Sequence, residues 1–171
     1  MHVFLTGPVQ IGKSTLIART LEACQPARLG GFRTVSSAPE PDGSRSVHLF
    51  CAAEAYPSAD SSNRIGICRA GGIASFPAVF ESAGMDALVG AEDSSLILMD
   101  EIGRMERRAN VYTARILELA DGSVPILGVV QRKADTPLAN TIRSHPNVRL
   151  IEVSEQNRDS LLPEILAALQ E

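Results

Sequence analysis

Short apolar runs alternate along the chain with stretches whose apolar residues recur at helical spacing. His2–Thr6 is a run of the first kind, closed by Gly7-Pro8. Leu16, Ile17, Leu21 and Cys24 then follow the helical period, so strand, glycine turn and helix are expected in that order. Ser95–Met99 is continuously apolar and ends on Asp100, the pattern of a strand buried on both faces of a parallel sheet. Ala109–Ala120 predicts a helix with Ile116 and Leu119 inward, ended by Asp121-Gly122, and Pro125–Val130 predicts another buried strand. A helix over Thr136–Ser144, a strand over Val148–Val153 and a terminal helix striped with Leu161, Leu162, Ile165, Leu166 and Leu169 complete the alternation. Pro163 fits only the first turn of that last helix.

The middle of the chain departs from this rhythm. Phe32–Ser36 and Arg45–Phe50 read as strands flanking Pro39-Glu40-Pro41-Asp42-Gly43, whose Pro-Asp-Gly suits a hairpin turn. Tyr56–Asn63 reads as loop, Arg64–Cys68 as a short strand and Arg69–Ser75 as a glycine-bearing turn. Phe76–Ala91 predicts a helix built on Val79, Phe80, Met85 and Leu88, with an interruption expected at Gly84. The sum is an α/β fold in one domain over residues 1–171, with a mostly parallel central sheet flanked by helices and a β-hairpin excursion.

Composition narrows the chemistry. The 171 residues are 44% apolar and 21% charged, the profile of one soluble domain with one core. A net charge of −4 argues against an extended nucleic-acid surface or attraction to an anionic membrane, so any phosphate binding must be local. Of the 16 basic residues only Lys13 and Lys133 are lysine. Cys24, Cys51 and Cys68 are odd in number, far apart and without histidine at ligand spacing, which favours reduced thiols over disulfides or zinc. No window approaches the roughly 18 to 20 apolar residues of a membrane span, and a cytoplasmic location is expected.

Gly7-Pro8-Val9-Gln10-Ile11-Gly12-Lys13-Ser14 matches G-x-x-x-x-G-K-[ST] between an expected strand and an expected helix. Such a loop turns backbone N–H groups toward the β- and γ-phosphates of a nucleotide, and the helix N-terminus adds positive potential. Lys13 is the point charge on the phosphates, Ser14 offers its hydroxyl to Mg²⁺, and Thr15 is within reach of the α-phosphate. Leu96-Ile97-Leu98-Met99-Asp100-Glu101 follows as an apolar strand ending in two acids. Asp100 is placed to hold Mg²⁺ through water, and Glu101 to orient or deprotonate a water attacking the γ-phosphate.

Asp100-Glu101-Ile102-Gly103 also satisfies D-x-x-G, and Arg132-Lys133-Ala134-Asp135 is N-K-x-D with its first residue changed. The missing Asn and the short interval between the two strings count against a GTP switch, because base selection needs an exact polar constellation. A P-loop kinase or other phosphotransferase, using the central hairpin for an acceptor, is the second alternative.

Taken together these strings resemble the small nucleoside-triphosphatases called THEP1, in which a phosphate loop, D-E-I-G-x-M-E and a late E-N-R-D-like segment are characteristic. Here they read Gly7 to Ser14, Asp100-Glu101-Ile102-Gly103-Arg104-Met105-Glu106 and Ser154-Glu155-Gln156-Asn157-Arg158-Asp159. Gly31-Phe32-Arg33-Thr34 is similar to the family's G-F-x-T, and Phe80-Glu81 stands where the family has Phe-Glu before the acidic strand, so the likeness covers nearly the whole chain. The resemblance implies a RecA-like P-loop core and slow, Mg²⁺-dependent hydrolysis of ATP, GTP and other nucleoside triphosphates to diphosphate and phosphate. It assigns roles to Lys13, Ser14, Thr15, Asp100 and Glu101, and further to Arg104, Glu106, Asn157 and Arg158. The last two lie near base or ribose on this reading, or cap a helix on the other. Gln10 departs from the family, which commonly has glycine there, and Arg45–Ala70 shows little of its central pattern. Preferred base, acceptor and oligomeric state stay open.

Overall fold

Strand β1 (His2–Thr6) is buried at every residue, as a run covered by helices on both sides requires. Helix α1 (Lys13–Cys24) follows the glycine turn and buries Leu16, Ile17 and Thr20. β2 (Leu29–Ser36), β3 (Arg45–Cys51), β4 (Arg64–Arg69) and β5 (Gly72–Ser75) come next. A helical stretch formed by α2 (Pro77–Val79), a π turn (Phe80–Gly84) and α3 (Met85–Leu88) leads to β6 (Leu96–Ile102). The remainder is α4 (Asn110–Asp121), β7 (Ile126–Val130), α5 (Pro137–Ser144), β8 (Val148–Glu152) and α6 (Leu162–Gln170).

In the computed structural model, which describes residues 1–171, the strands form one sheet in the order β5-β4-β3-β2-β6-β7-β1-β8. β2, β6, β7, β1 and β8 run parallel, and β3, β4 and β5 continue the β2 edge antiparallel. The expected mostly parallel sheet with an antiparallel excursion is therefore what the chain builds. β7 lies between β1 and β6, so the phosphate-loop strand and the acidic strand are one strand apart. One apolar cluster, with Phe4, Met99, Tyr112, Ile116 and Ile142, fills the face covered by α4 and α5. The other, with Leu5, Leu16, Leu98, Ile165 and Leu169, fills the face covered by α1 and α6. Parallel strands between two helical layers leave one rim, the carboxyl ends of the strands, where polar loops converge.

Three expectations change. β2 begins at Leu29, not Phe32, because its first residues pair in parallel with Leu96 to Asp100 before the strand continues into the hairpin with β3. The glycine-bearing turn expected over Arg69–Ser75 closes within two residues and returns as β5, paired from Gly72 to Ser75 against β4. β5 is short and mostly exposed, so it carries no apolar alternation to read. Gly84 does not interrupt its helical stretch, since its backbone stays right-handed helical at φ −65° and ψ −44°. The departure from regular α-helix is the π turn that ends on it, and glycine is needed because a Cβ there would stand 2.8 Å from the Tyr112 ring. Pro163 sits in the first turn of α6, as its ring demands.

Candidate active site

The chain from β1 to α1 turns through backbone conformations that side chains resist. Gly7 has φ 145° and Gly12 φ 111°, and a Cβ on Gly7 would lie 2.5 Å from the Val153 carbonyl oxygen. Gln10 takes φ 61°, the left-handed region that glycine enters without steric cost; the loop forms here despite the glutamine side chain. Ile11 is buried against Leu16 and its neighbours and anchors the loop, while Pro8, Val9, Gln10, Ser14 and Thr15 face outward. Every backbone N–H from Val9 through Thr15 donates to no protein acceptor, and Leu16 is the first to close a helical bond, to the Gly12 carbonyl. The N-terminal pole of α1 thus opens on a nest of free donors. Lys13 has no acid partner. Its Nζ donates to the carbonyl oxygens of Pro8 at 2.7 Å and Gly7 at 3.2 Å, curled over the hollow the loop encloses.

β6 delivers Asp100 and Glu101 to the same rim, and the peptide between them is cis. Burial, then the adjacent Glu101 carboxylate, push the Asp100 carboxyl up to about 6, with the Lys13 ammonium pulling the other way. Asp100 and Lys13 therefore share one electrostatic neighbourhood. Glu101 Oε1 accepts a hydrogen bond from Gln131 Nε2 at the end of β7. No cluster of three or more His, Cys, Asp or Glu side chains gathers to ligate a metal. A carboxylate, its neighbour and the Ser14 hydroxyl are instead the hard-oxygen set that suits Mg²⁺, which takes few protein ligands and completes its shell with water and phosphate. The under-compensated charge on Asp100 is what a bound cation would relieve, so these residues fit such an ion.

Glu106 is buried below this rim, 4% exposed, and its Oε1 accepts from the Gly103 N–H. Burial pushes its carboxyl up to about 7, against the hydrogen bonds from its own and the Gly103 N–H groups, with Glu101 adding repulsion. An acid whose folded value exceeds its ordinary 4.5 binds its proton more tightly folded than unfolded. Its stabilisation is complete below that ordinary value, falls as pH rises through about 7, and is flat beyond. The loss is on the order of 3 kcal/mol. Glu106→Gln keeps the acceptor for Gly103 and removes the titration. Thermal melting from pH 5 to 8 is expected to show a smaller decline in the variant and a higher midpoint at pH 8; parallel curves would deny Glu106 this part.

The loop after β7 closes over the same ends. Arg143 of α5 donates to the carbonyls of Gln131, Arg132 and Ala134, and Arg104 Nη2 donates to the Lys133 carbonyl at 2.9 Å. Arg132 pairs with Glu152 at 3.1 Å, both more than half exposed, a contact that contributes little stability. Arg104 and Arg132 are thus already engaged. Asp135, the last residue of the N-K-x-D-like string, accepts from Asn140 at 2.9 Å, and the Lys133 side chain is exposed.

Asn157, for which a place near base or ribose and a capping role were both open, is engaged within a turn. Its Oδ1 accepts from the Ser154 N–H at 2.8 Å and its Nδ2 donates to the Glu152 carbonyl at 2.9 Å, so its amide is spent on the segment leaving β8. That turn carries Arg158 onto the loop, where Nη1 reaches the Ile11 carbonyl at 3.5 Å and Cδ would lie 3.7 Å from a Cβ on Gly12.

Sequence reasoning brought Gly7–Thr15, Asp100, Glu101 and Arg158 to this rim. It missed Gln131, which no motif covers, and Arg143, an ordinary helix cation by its spacing. Glu81 was noticed only within a family pattern. Its carboxylate accepts the N–H groups of Val111 and Tyr112 and so caps the start of α4.

A three-layer α/β sheet with an open donor nest at a strand-to-helix turn, a lysine over it and paired acids one strand away defines a P-loop nucleotide-binding domain. The chain belongs to the NTPase family, whose profile matches residues 2–166, and so to the THEP1-type nucleoside-triphosphatases. It is 31% identical to the cancer-related nucleoside-triphosphatase homolog of Mus musculus, over 99% of this chain and 96% of that one. It is 30% identical to the nucleoside-triphosphatase THEP1 of Methanosarcina barkeri (strain Fusaro / DSM 804), over 94% and 92% of the two chains. The crystal structure of THEP1 from the hyperthermophile Aquifex aeolicus superposes with a TM-score of 0.70 at 20% identity, covering 100% of both chains. The solution structure of a human cancer-related nucleoside triphosphatase gives 0.65 at 27% identity, covering 99% and 97%. No helix is long and apolar enough to cross a membrane.

Proposed function

We propose that the chain hydrolyses nucleoside triphosphates to diphosphate and phosphate with Mg²⁺ and with broad base specificity. The row of unpaired N–H groups from Val9 through Thr15 carries this reading, since it is shaped for an anion and has no protein acceptor of its own. Lys13, turning from the Pro8 and Gly7 carbonyls, neutralises γ-phosphate charge as it develops. Ser14 and Asp100 would hold Mg²⁺, which when bound supplies further charge neutralisation on the phosphates. Glu101 orients the attacking water and takes its proton. Arg158 lies against the loop beside Gly12 and contacts the nucleotide, while Asn157 acts by building the turn that brings it there. Broad base use is supported by the string Arg132 to Asp135, where the Asn of a guanine-selecting motif is replaced and the Asp is already bonded to Asn140.

Turnover of purified protein with ATP, GTP, CTP, UTP and deoxynucleotides tests this. Phosphate and diphosphate should appear in equal amounts without any acceptor, stop on chelation of Mg²⁺, and differ between bases by no more than about tenfold. Triphosphate consumption that requires a metabolite extract and labels one of its components would replace hydrolysis with phosphotransfer.

A further inference from the structure

We propose that Gln131 is a positioning residue for hydrolysis, fixing the Glu101 carboxylate so that one of its oxygens is presented to the attacking water. The inference rests on the role of Glu101 proposed above. It begins with the cramped junction of β6 and β7: a Cβ on Gly103 would stand 2.3 Å from Cδ and Oε1 of Gln131 and 2.7 Å from its Nε2. The amide thus lies in the space that glycine leaves open. From there Nε2 donates to Glu101 Oε1. A carboxylate can only accept, so the NH₂ end of the amide must face it.

Gln131 is not needed to hold its own loop. Its backbone N–H donates to the Ile102 carbonyl at 2.8 Å, and its carbonyl accepts from Arg143. The side chain's single protein hydrogen bond is the one to Glu101. That bond stops rotation of the carboxylate and occupies Oε1, leaving Oε2 without a protein partner and free to receive a proton. Gly103 is itself pinned, its N–H by Glu106 and its carbonyl by the Thr136 hydroxyl at 3.2 Å, so the gap that admits Gln131 is fixed from both sides. Aligning a general base before the reaction lowers the barrier without altering ground-state binding, which predicts an effect on kcat and not on KM.

The experiment is a double-mutant cycle in the full-length protein with ATP and Mg²⁺. Gln131→Met keeps the length of the side chain and removes the donor. It is expected to lower kcat about 10- to 100-fold, the scale of a hydrogen bond to a charged group, with KM within about twofold. Gly103→Ala should do the same by another route, because its methyl displaces the amide while leaving Gln131 in the chain. In the Glu101→Gln background, Gln131→Met should cost little more, since the group it positions is already gone. Unchanged kcat in both single variants, or a full additional loss in the Glu101→Gln background, would overturn the assignment while leaving the role of Glu101 standing. A harmless Glu101→Gln would overturn both. Gly103→Ala keeps the inference testable should Gln131→Met fold poorly.

Discussion

Glu101→Gln is expected to lower kcat for nucleoside-triphosphate hydrolysis by about 10² to 10⁴, with nucleotide affinity retained within about threefold. The substitution preserves shape, and Gln131 can still bond it by presenting its amide oxygen, so the loss isolates the carboxylate's ability to take a proton. The electrostatics sharpen the expectation. Glu101 helps push the Asp100 carboxyl up to about 6, and removing that neighbouring charge lets Asp100 ionise more readily. Mg²⁺ and nucleotide binding should therefore hold or strengthen in the variant, which rules out weakened metal binding as the cause of a lower rate. Titration of a fluorescent triphosphate analogue against single-turnover hydrolysis separates the two. A single-turnover rate within about threefold of wild type would remove Glu101 from the chemistry.

How far such a site could be read in advance depends on what each residue does. Gly7, Gly12 and Lys13 were legible because a phosphate loop requires those residue types at fixed spacing, and the backbone angles of Gly7 and Gly12 show why. Asp100 and Glu101 were legible because an apolar strand buried on both faces can tolerate acids only at its exit. Gln131 was not. Its function depends on a cross-strand pairing that places the ends of β6 and β7 side by side, on a register shift between Met99 and Ile102, and on a missing Cβ at Gly103. None of these is local in sequence. Asn157 left two readings open in the sequence, a ligand contact or a cap, because its type and position in a motif-like string do not say that its amide bonds within the turn leaving β8. The fold shows the same division. Strongly apolar strands and amphipathic helices were placed, whereas β5 was missed because an edge strand with little to bury has no pattern to betray it.

Lys13→Ala is expected to weaken triphosphate binding about 10- to 100-fold and to lower kcat as well, the scale of losing a charge-assisted hydrogen bond to phosphate. Two effects combine. The ammonium that would meet the phosphates is removed, and so is the one nearby cation that offsets the upward push on Asp100, whose carboxyl should then rise beyond about 6. A rise there leaves less carboxylate at neutral pH, so the variant's residual activity should climb more steeply between pH 6 and 8 than that of the wild type. The fold should be indifferent, since the side chain bonds only to the loop's own Pro8 and Gly7 carbonyls and sits in neither apolar cluster. Lys13→Arg provides the contrast: it keeps the positive charge, and with it the offset on Asp100, but its planar fork does not fit a hollow closed by those two carbonyls. It should therefore show impaired binding with a pH profile like that of the wild type. Triphosphate affinity unchanged in Lys13→Ala, measured by calorimetry in the presence of Mg²⁺, would remove the loop from nucleotide binding.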